Sequence, residues 1–496
     1  MPHHDRRNGR SRATRRAVLR GAGAVAAALP LQPAAVQPAA GGEIGPVMAT
    51  LSTYMANARQ QALPPDVIET AKHHILDTFA AMISGSELKP GRAAIDFAKA
   101  YGGRKLATVA GSDVLTGPIE AALANGVLAH ADETDDSHAP SLSHPGCAVV
   151  PAALAVGEGL GIDGMHFLRA VVLGYDIGPR VTMCLGIPAL SREAHKSSHS
   201  IAGAFGAAAA AGCTADLGAQ QMRWLLDYTA QQSSGIAAWQ RDSEHMEKAF
   251  VFGGMPARSG VTAALLVHAG WTGIDDIFSG ADNFLLANAP NADPARLIEK
   301  LGERYEVART NIKKWSVGSP IQAPLDALEI LAKRRPFNAN EVQKVAVRLG
   351  TREASVVSNR DIPDICLQHL VAVMLIDGTV TFRAAHDGAR MQDSAVMHQR
   401  AKVELVGDQD LERRAPRREA IVTVEFTDGS ELSEHVQAVR GTADNPMPRD
   451  EVVGKCRDLM APVLGGAKCQ DLIDRVLDIE GADRLRDLAA LLQNPR

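Results

Sequence analysis

The hydrophobic period of the chain changes near residue 335. From about residue 46 to 305, apolar positions recur at helical spacing. In PPDVIETAKHHILDTFAAMISGS, Val67, Ile68, Ala71, Ile75, Leu76, Phe79 and Met82 share one helical face behind Pro64 and Pro65. Gly85 stands where such a helix would stop. Similar helices are predicted near 117–130, 147–161, 164–185, 200–216, 218–234 and 257–269. Several are apolar on most faces, as the central helices of a large bundle must be. Beyond residue 335 the pattern alternates. VQKVAVRLG places Val345, Val347 and Leu349 on one side, and AKVELVG and EAIVTVEFTDGSELSEHV alternate likewise. Asp428-Gly429, between two alternating runs, predicts a hairpin. Helical stretches at 322–334 and 365–377 sit between the strands. The tail is helical again and is expected to return to the first helices. The pattern therefore predicts a mainly α protein, with a helical domain over 46–311, an α+β domain over 312–441, and a return to the helical domain over 442–496.

At 496 residues the chain is too long for one compact core. With 46% hydrophobic and 22% charged residues it reads as soluble and globular. Aromatic residues make up only 4% and alanine and glycine abound, which predicts closely packed helices. Residues 1–40 stand apart. They carry Arg15-Arg16, a weakly apolar stretch from Ala22 to Leu29, and small residues at Ala39 and Ala40. This pattern resembles a twin-arginine export signal and predicts a periplasmic protein, with a cytoplasmic one as the alternative. That segment holds seven arginines, no lysine and one acid, Asp5. The formal charge of −5 thus becomes −11 over residues 41–496. A chain this acidic is poorly suited to nucleic acid or to stable membrane association. Six cysteines form no C-x-x-C pair, which argues against zinc-ribbon and iron–sulfur ligation. They are expected to be buried small apolar residues.

The densest chemistry lies in LAHADETDDSHAPSLSHPGCAVV, residues 128–150. There Asp132, Glu133, Asp135 and Asp136 crowd between His130, His138 and His144, on a connector between two apolar helices. A solvated acidic loop is the plain reading. These donor types also suit zinc or manganese, but no H-E-x-x-H spacing accompanies them, and no metal is expected.

Several stretches in fixed order resemble the MmgE/PrpD family: LDTFAAMISG, AALANGVLAHADETDDSHAPSLSHPGCAVVPAALAVGE, GYDIGPRV, GAFGAAAAAG, EKAFVFGGMPARSGVTAALLVHAGWTG and NIKKWSVGSPIQAPLDALEIL. The resemblance covers roughly residues 46 to 465. It implies a large all-helical domain with a smaller α+β lid, a homodimer, and no metal or organic cofactor. The family includes 2-methylcitrate dehydratases and cis-aconitate decarboxylases. The implied activity is a lyase reaction on a small di- or tricarboxylate, by proton abstraction α to a carboxylate or by loss of a carboxylate. An isomerase or epimerase using the same proton abstraction, and a non-catalytic carboxylate-binding protein, are the alternatives.

The resemblance also assigns residues. His144 in SHPG matches the family's H-P-S/G histidine. Lys248 matches the lysine before the G-x-x-A-x-x-G helix, and Lys313 the lysine at the entrance to the lid. The family's H-A-L-D-F-D-D-T element becomes His130 to Ser137. Glu133 replaces its first aspartate and Ser137 its threonine, while Asp135 and Asp136 match directly. These residues are expected to orient the histidines and lysines. Three further positions depart from the family. Gln322 stands for a histidine and His369 for a tyrosine. Ser197 stands for a second histidine that His199, or less readily His195, replaces. Tyrosine to histidine lowers the intrinsic pKa of a possible acid by several units, which implies a changed substrate or proton-transfer scheme.

Overall fold

The computed structural model describes residues 44–494; the expected export leader lies outside them. The structure is mainly helical, with strand confined to two small sheets. Helices Pro65–Gly85, Pro118–Ala129, Gly146–Leu160, Gly164–Leu185, Ser198–Thr214 and Met255–His268 form the interior of the larger body. Pro65 and Pro118 sit in the first turn of their helices, where a missing N–H costs nothing. Ser198–Thr214 is buried along its whole length. Its alanines and glycines make that possible, because the helices on either side close to backbone contact. A Cβ on Gly178 would fall 2.3 Å from the carbonyl oxygen of Ala202. A two-stranded ribbon, Ala107–Thr108 with Leu115–Thr116, is the one piece of sheet in this body among the described residues. It is too short to leave a period in the sequence.

Two apolar cores are present. The larger draws on residues 48–312 and again on 447–492; the smaller draws on 315–439. The smaller is built on a four-stranded sheet ordered Val403–Asp408, Val342–Gly350, Ala420–Phe426, Glu431–Val436. The first pair is parallel and the others antiparallel. Val345, Val347 and Leu349 are all buried on the core side, as their alternation predicts. Gly429 adopts φ +83° in the hairpin turn, a conformation that glycine takes without strain. Helices Ser319–Arg334 and Leu367–Asp377 pack on the sheet. Near the end of the chain, Arg449–Leu464 packs on Pro65–Gly85, with Lys455 Nζ 2.6 Å from Asp77.

Candidate active site

The acidic connector is not a solvated loop. His130, Asp132, Glu133, Asp135, Asp136, His138 and His144 are all buried. Buried charge is tolerated only where it is paired, and each acid here has its own partners. Asp136 accepts hydrogen bonds from His74 Nδ1 (2.9 Å), Tyr175 Oη (2.6 Å) and Gly146 N (3.0 Å). It thereby pins the start of Gly146–Leu160 to two neighbouring helices and leaves no free oxygen for a substrate. His138 is equally structural, between Ser141 Oγ (2.7 Å) and Glu306 (3.2 Å). Ser137 contributes its backbone. An antiparallel bridge joins it to Asn311 (3.0 and 2.8 Å), and this brings Lys313, two residues on, over the connector.

Glu133 and Asp135 collect the cations. Lys248 pairs with Glu133 Oε1. Lys313 Nζ donates to the Glu133 carbonyl oxygen (2.7 Å) and lies 3.8 Å from Glu133 Oε2 and 3.7 Å from Asp135 Oδ1. His130 Nδ1 donates to Asp135 Oδ2 (2.9 Å) and His144 Nδ1 to Asp135 Oδ1 (3.1 Å). Burial alone would raise both carboxyls. Lys248 and Lys313 beside Glu133, and His130 and His144 beside Asp135, outweigh it and hold both well below the usual carboxylate range. With Nδ1–H given to Asp135, a neutral His144 ring carries its lone pair on Nε2. The two rings differ in access: the His144 side chain is 10% exposed and the His130 side chain 0%. Burial pushes His144 below the ordinary histidine value, Asp135 opposing and Lys313 reinforcing the shift.

An aromatic stack backs this cluster. Phe252 lies between His199 (centroids 3.8 Å apart, 13° between planes) and His130 (4.5 Å, 22°). His144 stands 5.3 Å from His199, and Trp239 meets both His199 and Phe252 edge-on. Lys248 Nζ lies 5.4 Å from the Phe252 ring centre. Burial, then the neighbouring His144, His130 and Lys248, pushes His199 well down, so it is a neutral ring. Its Nδ1 is buried without a hydrogen-bond partner, as are His130 Nε2 and His245 Nε2.

The structure thus brings together His144, Lys248, Lys313, His199, Glu133 and Asp135. His199 faces His144, whereas His195 is exposed in a left-handed turn at φ 53°. Two candidates stand apart. Gln322 spends its amide on Trp315 N (3.1 Å), Trp315 O (2.8 Å) and Val317 O (3.0 Å), fastening the segment after Lys313. His369 is fully buried on Leu367–Asp377, with no hydrogen-bond partner on either nitrogen. Burial, then Arg400 and Arg390, pushes it down to about 4. No hydrogen bond or ion pair among the described residues joins it to the Glu133–Asp135 cluster.

Other residues of the cluster were not read from the sequence. His245 and Phe252 lie three before and four after Lys248, one helical turn each way, and that spacing was the available signal. Asp364, His386 and Lys455 come from distant segments and gave none. Lys455 Nζ donates to Thr134 O (3.0 Å) from behind the connector. Asp364 is buried close enough to Glu133 and Asp132 to feel their charge. Its burial first, then those acids, against the opposing pull of His386, push it up to about 7. His130, Asp135 and His144 also bring one potential metal-ligand atom each within 4.8 Å of one another. The same carboxylate already faces the Lys313 ammonium, which supplies the positive charge an ion would bring. We assign no metal there.

Models of the MmgE/PrpD N-terminal domain and the MmgE/PrpD C-terminal domain match residues 49–296 and 315–479. The chain is 25% identical over 478 residues to the cis-aconitate decarboxylase-like protein oryM of Aspergillus oryzae, covering 90% of this chain and 97% of that protein. It is 25% identical over 475 residues to a cis-aconitate decarboxylase of Aspergillus terreus (90% and 95%). It is 24% identical over 454 residues to the cis-aconitate decarboxylase of Homo sapiens (86% and 91%).

Proposed function

The chain belongs to the MmgE/PrpD family, and from that premise we propose that it is a cofactor-free lyase of a small di- or tricarboxylate, decarboxylating or dehydrating it. The observation that carries this reading is the pair of ammonium groups, Lys248 and Lys313, held over Glu133 beside neutral imidazoles. Two lysines spaced to face one carboxylate are spaced to hold a substrate carboxylate, and burial strengthens that attraction.

The same set provides the proton chemistry. In a decarboxylation, the C–CO₂⁻ bond breaks, carbon dioxide leaves, and the electron pair remains as an enolate-like carbanion that must take one proton. In a dehydration, a base takes the α proton and an acid returns one to the departing hydroxyl. Dehydration needs a nitrogen lone pair close to the bound carboxylate, which His144 Nε2 supplies; decarboxylation needs a proton donor, which the same nitrogen becomes once it is protonated. Asp135 fixes its tautomer and stabilises the imidazolium that forms. His199, stacked on Phe252, closes the other side. Relatives named as cis-aconitate decarboxylases support the tricarboxylate class, while Gln322, His369 and Ser197 are reasons not to transfer cis-aconitate itself. An epimerase that works between His144 and His369 gains no support, because no hydrogen bond or ion pair among the described residues joins His369 to the cluster and both its nitrogens are buried without a hydrogen-bond partner.

The test is incubation with a panel of citrate-like and succinate-like acids in deuterated water. Solvent deuterium is expected at one carbon of one acid, with or without release of carbon dioxide. Lys248→Ala should lower turnover by about 10²–10³-fold, the usual effect of removing one such stabilising group, with its circular dichroism unchanged. Neither binding nor exchange with any such acid would overturn the reading. Binding without exchange would make the chain a carboxylate-binding protein.

A further inference from the structure

The smaller core reaches the connector through a short strap. Helix Phe382–Ala385 begins at Thr381, whose side chain accepts from Ala384 N (3.2 Å). Phe382 packs against the larger core, and its N–H donates to Asp458 on Arg449–Leu464 (3.3 Å). The next turn carries His386. Its Nδ1–H donates to Phe382 O (2.7 Å), and its ring lies 4.3 Å from that of Phe382. Its Nε2 lies 2.9 Å from Asp132 Oδ2, with both side chains largely buried.

That arrangement fixes the charge of the ring. A carbonyl oxygen only accepts, so Nδ1 must hold a proton. Nε2 makes no aligned hydrogen bond to that oxygen, but a neutral ring would still leave an unprotonated nitrogen 2.9 Å from a carboxylate. The contact is attractive only if Nε2 is protonated as well. Asp132 in turn accepts from Thr134 N (3.0 Å) and Thr134 Oγ1 (2.5 Å), and it directly precedes Glu133. The strap therefore holds the turn that presents Glu133 to the two lysines.

We propose that His386 is a positioning residue: as an imidazolium it fastens the smaller domain to Asp132, and through Asp132 it sets Glu133 against Lys248 and Lys313. The inference rests on reading Glu133 as part of the substrate site. The charged groups facing His386 are Asp132 on the connector and Asp364 ahead of Leu367–Asp377; Glu133 and Lys248 face Asp364 in turn. Burial alone would push the ring down. Asp132 and Asp364 outweigh it and push it up to about 9. Because this lies above the ordinary histidine value of about 6.5, the fastening is complete below that value and is lost as pH rises through about 9.

Hydrogen exchange of the full chain tests this without substrate. In His386→Gln, exchange in both 379–388 and 130–137 should quicken about tenfold at neutral pH, as release of a partly buried ion pair would allow. His386→Lys should restore protection, and Asp132→Asn should reproduce the loss. The wild-type protein, after correction for intrinsic exchange rates, should lose the same protection as pH rises through about 9, a step missing from His386→Gln. Where turnover is measurable, His386→Gln should raise KM more than it lowers kcat. Unchanged exchange in 130–137, loosening confined to 379–388, or loosening that Lys does not rescue would each overturn the proposal. Should His386→Gln fail to fold, the wild-type step and Asp132→Asn decide it. A wild-type enzyme inert toward every polycarboxylate would sink the lyase reading and leave the exchange result standing.

Discussion

Three histidines of the cluster are held neutral, and that has a cost the molecule shows at low pH. His144, His199 and His245 all sit below the ordinary histidine value, burial being the first cause in each; His245 is pushed down to about 3. A ring whose folded value is depressed binds its proton more readily when unfolded. Its contribution to stability is therefore intact above about 6.5 and erodes as pH falls below that, at about 1.4 kcal/mol per pH unit for each ring. Glu133 and Asp135 add the same sign lower down. Their stabilisation is present above about 4 and lost as pH falls through their depressed folded values. Urea unfolding between neutral pH and pH 5 should thus show stability falling steadily. His245→Asn should flatten the slope by about one proton's worth, or about 1.4 kcal/mol per unit. Asparagine suits the site because residue 245 has φ 60°, a conformation it tolerates better than most residues. An unaltered slope in His245→Asn would show that this ring is not held neutral by burial.

Whole helices depend on glycine in two opposite ways. Gly178 lies where Gly164–Leu185 crosses Ser198–Thr214, and its added Cβ would meet backbone, which cannot swing aside. Gly178→Ala should cost about 1–3 kcal/mol by forcing these helices apart. Gly454, exposed inside Arg449–Leu464, has nothing within 4 Å of the added atom. Gly454→Ala should gain about 0.5–1 kcal/mol from helix propensity alone. Chemical denaturation of the two variants reads both signs. The element scale is also where the sequence was most legible. Long runs such as 164–185 and the alternation in Ala420–Phe426 carry many repeats of one period. The ribbon at 107–108 and 115–116 and the π-helical turns Pro188–Glu193 and Phe250–Gly254 carry too few. The last of these turns also governs where Phe252 points, so the stack with His199 and His130 was hidden while Lys248 one turn earlier was not.

Across the whole molecule the site is assembled from residues far apart in sequence: 132–144, 199, 248, 313, with 386 and 455 supporting them. Periodicity describes what each segment does alone, so the converging lysines were legible only through family resemblance, and His386 and Lys455 were not legible at all. The cysteines obey a simpler rule. All six are buried and unpaired. Burial raises the thiols of Cys147 and Cys456 well above their ordinary value and those of Cys184 and Cys213 to about 12. The thiolate is the reactive form, and at neutral pH it is nearly absent in such surroundings. The folded protein should therefore be inert to Ellman's reagent, and six thiols should react once guanidinium unfolds it without reductant. That result should hold whichever compartment the protein was purified from, because folding rather than redox environment protects the sulfurs. Four reactive thiols from an oxidising compartment would mean that a disulfide has formed. The neighbouring Cys456 and Cys469, close enough for one to raise the other's pKa, would be the pair to suspect.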